Sequence, residues 1–211
     1  MVVMETNVSR PDDRRKRRSR TQLVLIFALF LLPPVSAWVA WKYLGEQGVG
    51  VTTNAGTLVS PARPLQLTGL VQPDGAVLPP DELRGRWAYV MFAPGDCGES
   101  CQQQLYLTRQ IRLSMSKDIP RVQRLLILAE QPSPELVLQL ADEQADLRWV
   151  VLAEQADPLL QVFSGTGFAP RGGQLFLVDP LGNLMMYYNL EVPAKGMMRD
   201  LQKLLKISQI G

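Results

Sequence analysis

The 211-residue chain contains no histidine. That absence removes the side chain most often used as a general base near neutral pH and the commonest nitrogen ligand for copper or zinc. Cysteine is nearly as scarce. With two in the whole chain, a disulfide-dense scaffold is excluded and at most one internal bridge can form. Net charge is also small, +2, and it is unevenly placed: residues 1–20 hold seven Lys/Arg against three Asp/Glu, so the remainder is close to neutral. A body without a basic excess does not suit nucleic-acid binding. Internal repeats are absent, and so is low-complexity sequence beyond the basic tail.

What the chain does have is concentrated in one place. Both cysteines fall in Trp87-Ala-Tyr-Val-Met-Phe-Ala-Pro-Gly-Asp-Cys97-Gly-Glu-Ser-Cys101-Gln-Gln-Gln-Leu. The apolar, β-prone first half predicts a buried strand that ends at Pro94-Gly95. The second half predicts a helix over about Ser100 to Ser116, with Ser100 and Gln103 as a capping box and Leu105 and Leu113 toward the core. A helix start offers free N–H groups and the positive end of the dipole, which stabilise a thiolate. Asp96 and Glu99 oppose that effect with negative charge. The three-residue spacing leaves open a reactive or metal-binding dithiol, a small structural disulfide and two unrelated buried thiols. As a staple the pair closes a tiny loop and constrains little.

The N-terminal quarter reads as a membrane anchor. Arg14 to Arg20 is a dense basic run, and no charged residue follows from Thr21 to Trp41. That length crosses a hydrocarbon core of about 30 Å as a helix. The basic flank predicts a cytoplasmic N-terminus, and Trp38, Trp41 and Tyr43 suit the opposite interface. Val35-Ser-Ala37 also has the form of a signal-peptidase site, so a cleaved leader is the alternative to an uncleaved anchor. The expected division is a tail over 1–20, an anchor over 21–44, a flexible neck over 45–63 and a folded domain over 64–211. In either reading the body is exported, and in a bacterium that places it in the periplasm, where disulfides persist.

The domain reads as strands alternating with helices. Leu65 to Leu78 predicts a hairpin around Pro73-Asp74-Gly75. Val122 to Ala129 is too apolar to face water on either side, which suits a strand covered on both faces. Ser133 caps a helix begun by Pro134 and running to about Ala145; Trp149 to Leu152 is a third buried strand, and Pro158 to Phe163 a short helix. A second hairpin turns at Pro180 to Asn183, and Met197 to Ile207 is an amphipathic closing helix with Met198, Leu201 and Leu205 on one face. This order predicts an α/β fold with parallel βαβ units and an antiparallel hairpin added at the end.

The strand, the turn, Cys97-x-x-x-Cys101 at a helix start and the Leu175-Phe-Leu-Val-Asp-Pro-Leu-Gly-Asn183 hairpin together resemble the Sco/SenC proteins, over roughly Pro64 to Ile207. The resemblance implies a thioredoxin-like fold behind a single inner-membrane anchor. It also implies a factor that assists cytochrome c oxidase assembly, partnered by an oxidase subunit or another assembly factor. Cys97 and Cys101 would act there as a Cu(I) site or as a thiol reductant of the copper centre. Two departures stand out. The family places a copper-ligand histidine just before the closing hairpin, where this chain has Pro170-Arg-Gly-Gly-Gln174. Thioredoxin-type oxidoreductases place a cis-proline before the penultimate strand, where this chain has Gly173, with Pro170 three residues early. Two thiolates still suit Cu(I), whereas Cu(II) prefers added nitrogen ligands. Met91, Met185 and Met186 read as packing residues. A general periplasmic thiol–disulfide oxidoreductase and a docking protein with a structural disulfide remain the alternatives.

Overall fold

The computed structural model describes residues 12–45, 53–208 and 210, and the chain divides into two units, Met1–Thr52 and Thr53–Gly211. The described part of the first unit is one helix, α1 (Asp12–Gly45). Its Arg20–Ala40 stretch is apolar, unburied and long enough to cross a membrane. Pro33 and Pro34 lie inside α1 without ending it, and Ser36 Oγ donates to the Pro33 carbonyl at 2.9 Å.

In chain order the second unit comprises β1 (Thr57–Pro64), β2 (Leu70–Val71), β3 (Trp87–Ala93), α2 (Glu99–Leu113), a 3₁₀ turn (Ser116–Arg121), β4 (Val122–Leu128), α3 (Pro134–Glu143), β5 (Leu147–Leu152), α4 (Asp157–Val162), β6 (Leu175–Val178), β7 (Asn183–Tyr188) and α5 (Ala194–Ile207). The strands form one sheet in the order β1-β7-β6-β3-β4-β5-β2. Strands β3, β4 and β5 are parallel; β6, β7, β1 and β2 are antiparallel to their neighbours. This is a thioredoxin-like α/β fold.

All seven residues of β3 are buried, so both faces of the sheet must be covered. Trp87, Tyr89, Met91 and Ala93 join the cluster that includes α2, α3 and α5 side chains. Ala88, Val90 and Phe92 join the other, with Leu159 of α4 and the aromatic set Phe163, Phe168 and Phe176. Each large side chain buried in this way contributes about 1.5–3 kcal/mol relative to exposure.

Three expectations are corrected. The part of the expected neck from Thr57 onward is strand β1, paired with β7; residues 46–52 lie outside the described residues. The strand is fixed at its start by Asp200 Oδ2 on α5, which accepts the Ala55 and Gly56 amides at 2.8 and 2.9 Å. The predicted N-terminal hairpin forms its turn, with the Gln72 amide donating to the Ala76 carbonyl, but only the bridge Val71–Val77 continues it. Pro73, Pro79 and Pro80 withhold ladder donors, and β2 pairs with β5 instead. Third, α2 has Gly98 as its N-cap with no side-chain cap, so the Ser100–Gln103 box does not form. Leu113 is half exposed, and the buried face is Cys101, Gln104, Leu105, Thr108 and Ile111. By contrast Ser133 caps α3, its Oγ accepting the Leu136 amide at 3.2 Å.

The polar residues on the buried face of α2 have partners that sequence pattern alone did not indicate. Arg124 on β4 is 1% exposed. Its guanidinium donates to both Asp146 carboxylate oxygens at 3.0 and 2.7 Å, to Gln144 Oε1, to the Leu105 carbonyl and to Thr108 Oγ1. Burial lowers the Arg124 pKa, and its bond to Asp146 opposes that. Burial pushes the Asp146 carboxyl up, but the hydrogen bond and charge of Arg124, with Arg112 beside it, hold it below the ordinary carboxylate range. Truncation by Arg124→Ala is expected to cost about 2–5 kcal/mol in chemical denaturation, because it opens a cavity and leaves the buried Gln144 Oε1 and Leu105 carbonyl without this donor, while Asp146 keeps Arg112. A neutral loss would show the network to be ornamental. Since the folded Asp146 pKa lies below its unfolded value near 3.9, its contribution is complete above that value and lost as pH falls through the folded pKa. Denaturation midpoints followed downward from pH 5 are expected to fall less steeply in Asp146→Asn than in the parent.

Candidate functional site

The site is assembled where β3 stops. Pro94 interrupts the strand, and Gly95 approaches the neighbouring loop so closely that a Cβ there would lie 2.5 Å from the Gln131 carbonyl oxygen. The Gly95 carbonyl accepts the Ser133 amide at 3.2 Å, and the Ala93 carbonyl accepts the Ala129 amide at 2.8 Å. The loop after β3 is thus tied to the loop after β4. Cys97 follows with a left-handed backbone, φ +46°, its amide donating to the Pro94 carbonyl at 3.2 Å. One turn on, Cys101 is the third residue of α2, and the two are joined in a disulfide with Cα atoms 5.1 Å apart. Both are buried, Cys97 at 2% and Cys101 at 5% exposure. Asp96 and Glu99 on either side of Cys97 are exposed.

Three glutamines organise the surroundings. Gln102 and Gln139 exchange amide hydrogen bonds at 3.0 and 3.1 Å, joining α2 to α3. Gln104, 2% exposed, donates from Nε2 to the Gly173 carbonyl at 2.7 Å, while its Oε1 has no protein partner. Gly173 has φ +70°, and a Cβ there would lie 3.4 Å from Ser100 Oγ. The residue predicted for the cis-proline slot therefore does face the first turn of α2. Only the pattern of a buried amide among apolar helix positions could have pointed to Gln104 beforehand.

Between α2 and this loop, at the carboxyl ends of β3, β4 and β5, lies a cleft of about 730 Å³. Phe92, Ile127, Leu152 and Leu160 give it apolar walls, Glu99, Glu130 and Arg171 supply charge, and Cys101 and Gly173 also line it. Clefts outside the carboxyl ends of parallel strands are the usual ligand position in open α/β sheets, and this volume suits a small molecule or a few peptide residues.

Residues 87–208 match the family model described as the transmembrane-like, thioredoxin-like C-terminal domain. The chain belongs to that family. Comparison with curated proteins by sequence gives no match. Among solved structures the family member resembles Arabidopsis thaliana ScoI with copper bound, at 12% identity and TM-score 0.53, covering 73% of this chain and 99% of that one. It also resembles yeast Sco1, at 16% identity and TM-score 0.54, covering 66% and 95%. A SCO1/SenC family lipoprotein from Bacillus anthracis is similar at 14% identity and TM-score 0.52, covering 70% and 99%. At these identities the likeness establishes the shared fold.

Copper can be tested against the side chains present. The chain has no imidazole, and among the described residues no group of three or more Cys, Asp or Glu side chains converges as a metal site. Met91 is fully buried in β3, where its sulfur receives the Thr108 hydroxyl at 3.7 Å, and Met186 is buried in β7. A copper centre with a third, nitrogen ligand does not fit this site. Two sulfurs are the whole donor set, and they are bonded to each other.

The disulfide closes a loop of four residues' separation, so chain entropy assigns it a modest share of stability. Reduction is expected to lower unfolding free energy by about 2 kcal/mol and leave the fold intact. Denaturant titration with and without a phosphine reductant measures this. Unfolding on reduction would mark the bond as a structural staple.

Proposed function

We propose that this protein is a membrane-tethered, Sco-like thiol–disulfide exchange factor that assists cytochrome c oxidase assembly by acting on the cysteines of the oxidase copper site. The observation that carries the reading is the Cys97–Cys101 disulfide, set at a helix start with uncapped N–H groups beside an apolar-walled cleft. Those N–H groups stabilise a thiolate when the bond opens. Exchange needs only two sulfurs and room for a client, and both are in place. Cu(I) carriage needs the pair reduced, and among the described residues no group of three or more Cys, Asp or Glu side chains converges there, so we read the pair as an exchanging one. A further similar structure, at 14% identity and TM-score 0.51, is described as a member of the Sco family of cytochrome c oxidase assembly proteins, which supports an oxidase client as the partner class.

The proposed arrangement in the cell follows from the N-terminal sequence. The basic run in the first part of α1 keeps the N-terminus cytoplasmic, the apolar Arg20–Ala40 stretch anchors the chain in a bacterial inner membrane, and the domain works in the periplasm. Cys97 and Cys101 are the exchanging residues.

Loss of the gene in its host is expected to lower cytochrome c oxidase activity severalfold. The parent chain should restore it, and a Cys97→Ser/Cys101→Ser variant inserted at parental levels should not. Full restoration by the double variant would overturn the reading in favour of a docking role. Titration of the reduced full-length protein with Cu(I), against a chromophoric chelator, separates the remaining pair of ideas. One tightly held equivalent that disappears in the double variant would move the reading from exchange to copper delivery.

A further inference from the structure

The closing helix α5 carries a one-sided charge that neither the core nor the cleft uses. Residues 53–211 hold 14 Lys/Arg against 16 Asp/Glu, so the domain as a whole is slightly acidic. On α5 the balance is reversed. Lys195, Arg199, Lys203 and Lys206 are all exposed, and the one carboxylate of the helix, Asp200, is buried against the Ala55 and Gly56 amides. At 3.6 residues per turn the four cations fall within an arc of about 80° and a length of about 17 Å. Met197, Leu201 and Leu205 hold the opposite face in the core. Among the described residues none of the four is in an ion pair with a carboxylate. Like charges at i, i+4 destabilise a helix, and Lys195, Arg199 and Lys203 stand at that spacing, so an anionic partner would relieve what the chain leaves uncompensated. Ile207, 79% exposed, adds an aliphatic side chain at the end of the same helix.

The same helix receives the chain where it enters the domain. Lys203 Nζ donates to the Thr53 carbonyl at 3.2 Å, and Asp200 Oδ2 accepts the Ala55 and Gly56 amides. Gly196 lets this segment approach so closely that a Cβ on the glycine would lie 2.6 Å from the Ala55 Cβ. Gly196, Asp200 and Lys203 are spaced i, i+4 and i+7, which places them on one edge of the helix, beside the basic arc. Residues 53–56 therefore lie along α5, and the last residue of α1, Gly45, precedes Thr53 by eight positions in sequence.

We infer that the exposed basic face of α5 docks on a bilayer surface of anionic phospholipid headgroups, that of the membrane which holds α1. The inference rests on the anchor reading of α1 and adds an electrostatic attachment to it. A connection to the anchor that begins on α5 holds this face of the domain at high effective concentration near lipid. Basic helix faces flanked by an aliphatic side chain bind anionic lipid surfaces through charge and apolar contact together. An acidic protein would meet the same charges; the entry of the anchored chain along α5 favours the lipid. Two attachments orient the domain where one would not.

The test uses the full-length chain, disulfide intact, with a bimane fluorophore on Gln202→Cys in the exposed face of α5. It is placed in nanodiscs of phosphatidylcholine and in nanodiscs that also contain phosphatidylglycerol, and a headgroup spin-labelled lipid quenches the probe on contact. Quenching is expected to be at least about threefold stronger in the anionic discs, and to fall to the phosphatidylcholine level as salt is raised, since surface attraction is screened. A Lys195→Gln/Arg199→Gln/Lys206→Gln variant, which keeps the Lys203 bond to Thr53, is expected to show that low level in both kinds of disc. The salt titration of the parent chain does not depend on how the variant folds. Equal quenching in both kinds of disc, or quenching that salt and the variant leave unchanged, overturns the docking while leaving the anchor in place. If that result comes with loss of oxidase activity in cells carrying the variant, the face belongs to an acidic protein partner instead. Failure of the full-length chain to enter either kind of disc sinks the anchor reading and this inference together.

Discussion

The constraint on which the domain depends is that β3 is buried along its whole length. A strand with no water-facing side chain must be central, must be paired on both edges and must be covered on both faces. Strands β4 and β6 supply the edges; α2 and α5 cover one face, and α4 with the Phe163, Phe168 and Phe176 cluster covers the other. Because the chain leaves such a strand only at its end, the Pro94-Gly95-Asp96-Cys97 segment emerges at the carboxyl edge of the sheet. The disulfide therefore sits where it does because β3 has nowhere else to put it.

The face of the sheet behind α2 pays for this placement in polar groups. Arg124, Gln104, Thr108 and Asp200 are all buried among aliphatic side chains. Arg124 is fully bonded, whereas the Trp87 indole nitrogen, the Tyr89 hydroxyl and Gln104 Oε1 lack partners among the described residues. Burial raises the pKa of both tyrosines, with Asp200 adding its charge, so each phenol stays neutral throughout the range in which the protein folds. Neutral phenols tolerate neighbouring apolar surface, and two rings 6.5 Å apart pack as hydrophobic bodies regardless of their hydroxyls. The carboxylate of Asp200 accepts the Ala55 and Gly56 amides at Oδ2, which fixes the point where the chain enters the sheet.

Most of this architecture was legible in the sequence, for physical reasons that vary along the chain. The β3 and β4 runs could be read because strands buried on both sides have unbroken apolar sequences. The cap at Ser133 could be read because serine before Pro134 satisfies an orphan amide by local geometry. Strand β1 could not, since Thr57-Leu-Val-Ser-Pro-Ala-Arg-Pro alternates poorly and gains its structure from β7 and Asp200, more than a hundred residues away. The capping box at Ser100 failed because the helix starts earlier, at Glu99, with Gly98 as its N-cap. Leu113 misled because the core face of α2 includes Gln104 and Thr108, whose partners on β4 and in the Gly173 loop are invisible to helical periodicity. The two cysteines were legible as a pair. The cleft that Cys101 lines was not, because its walls come from β4, β5 and α4 as well as β3.

The residues missing from the site say as much as those present. The chain has no imidazole, and among the described residues no group of three or more Cys, Asp or Glu side chains converges, whereas thiolate attack needs no ligand set. With Gly173 before β6, the loop opposite the disulfide keeps an open backbone there, and its carbonyl accepts Gln104 Nε2. A buried amide whose Nε2 is committed to a carbonyl and whose Oε1 is unpaired is a costly device in an apolar helix face. That cost is understandable where it holds one wall of a cleft at a fixed distance from Cys101. It would be gratuitous if the cysteines served only to close a four-residue loop that the surrounding hydrogen bonds already define.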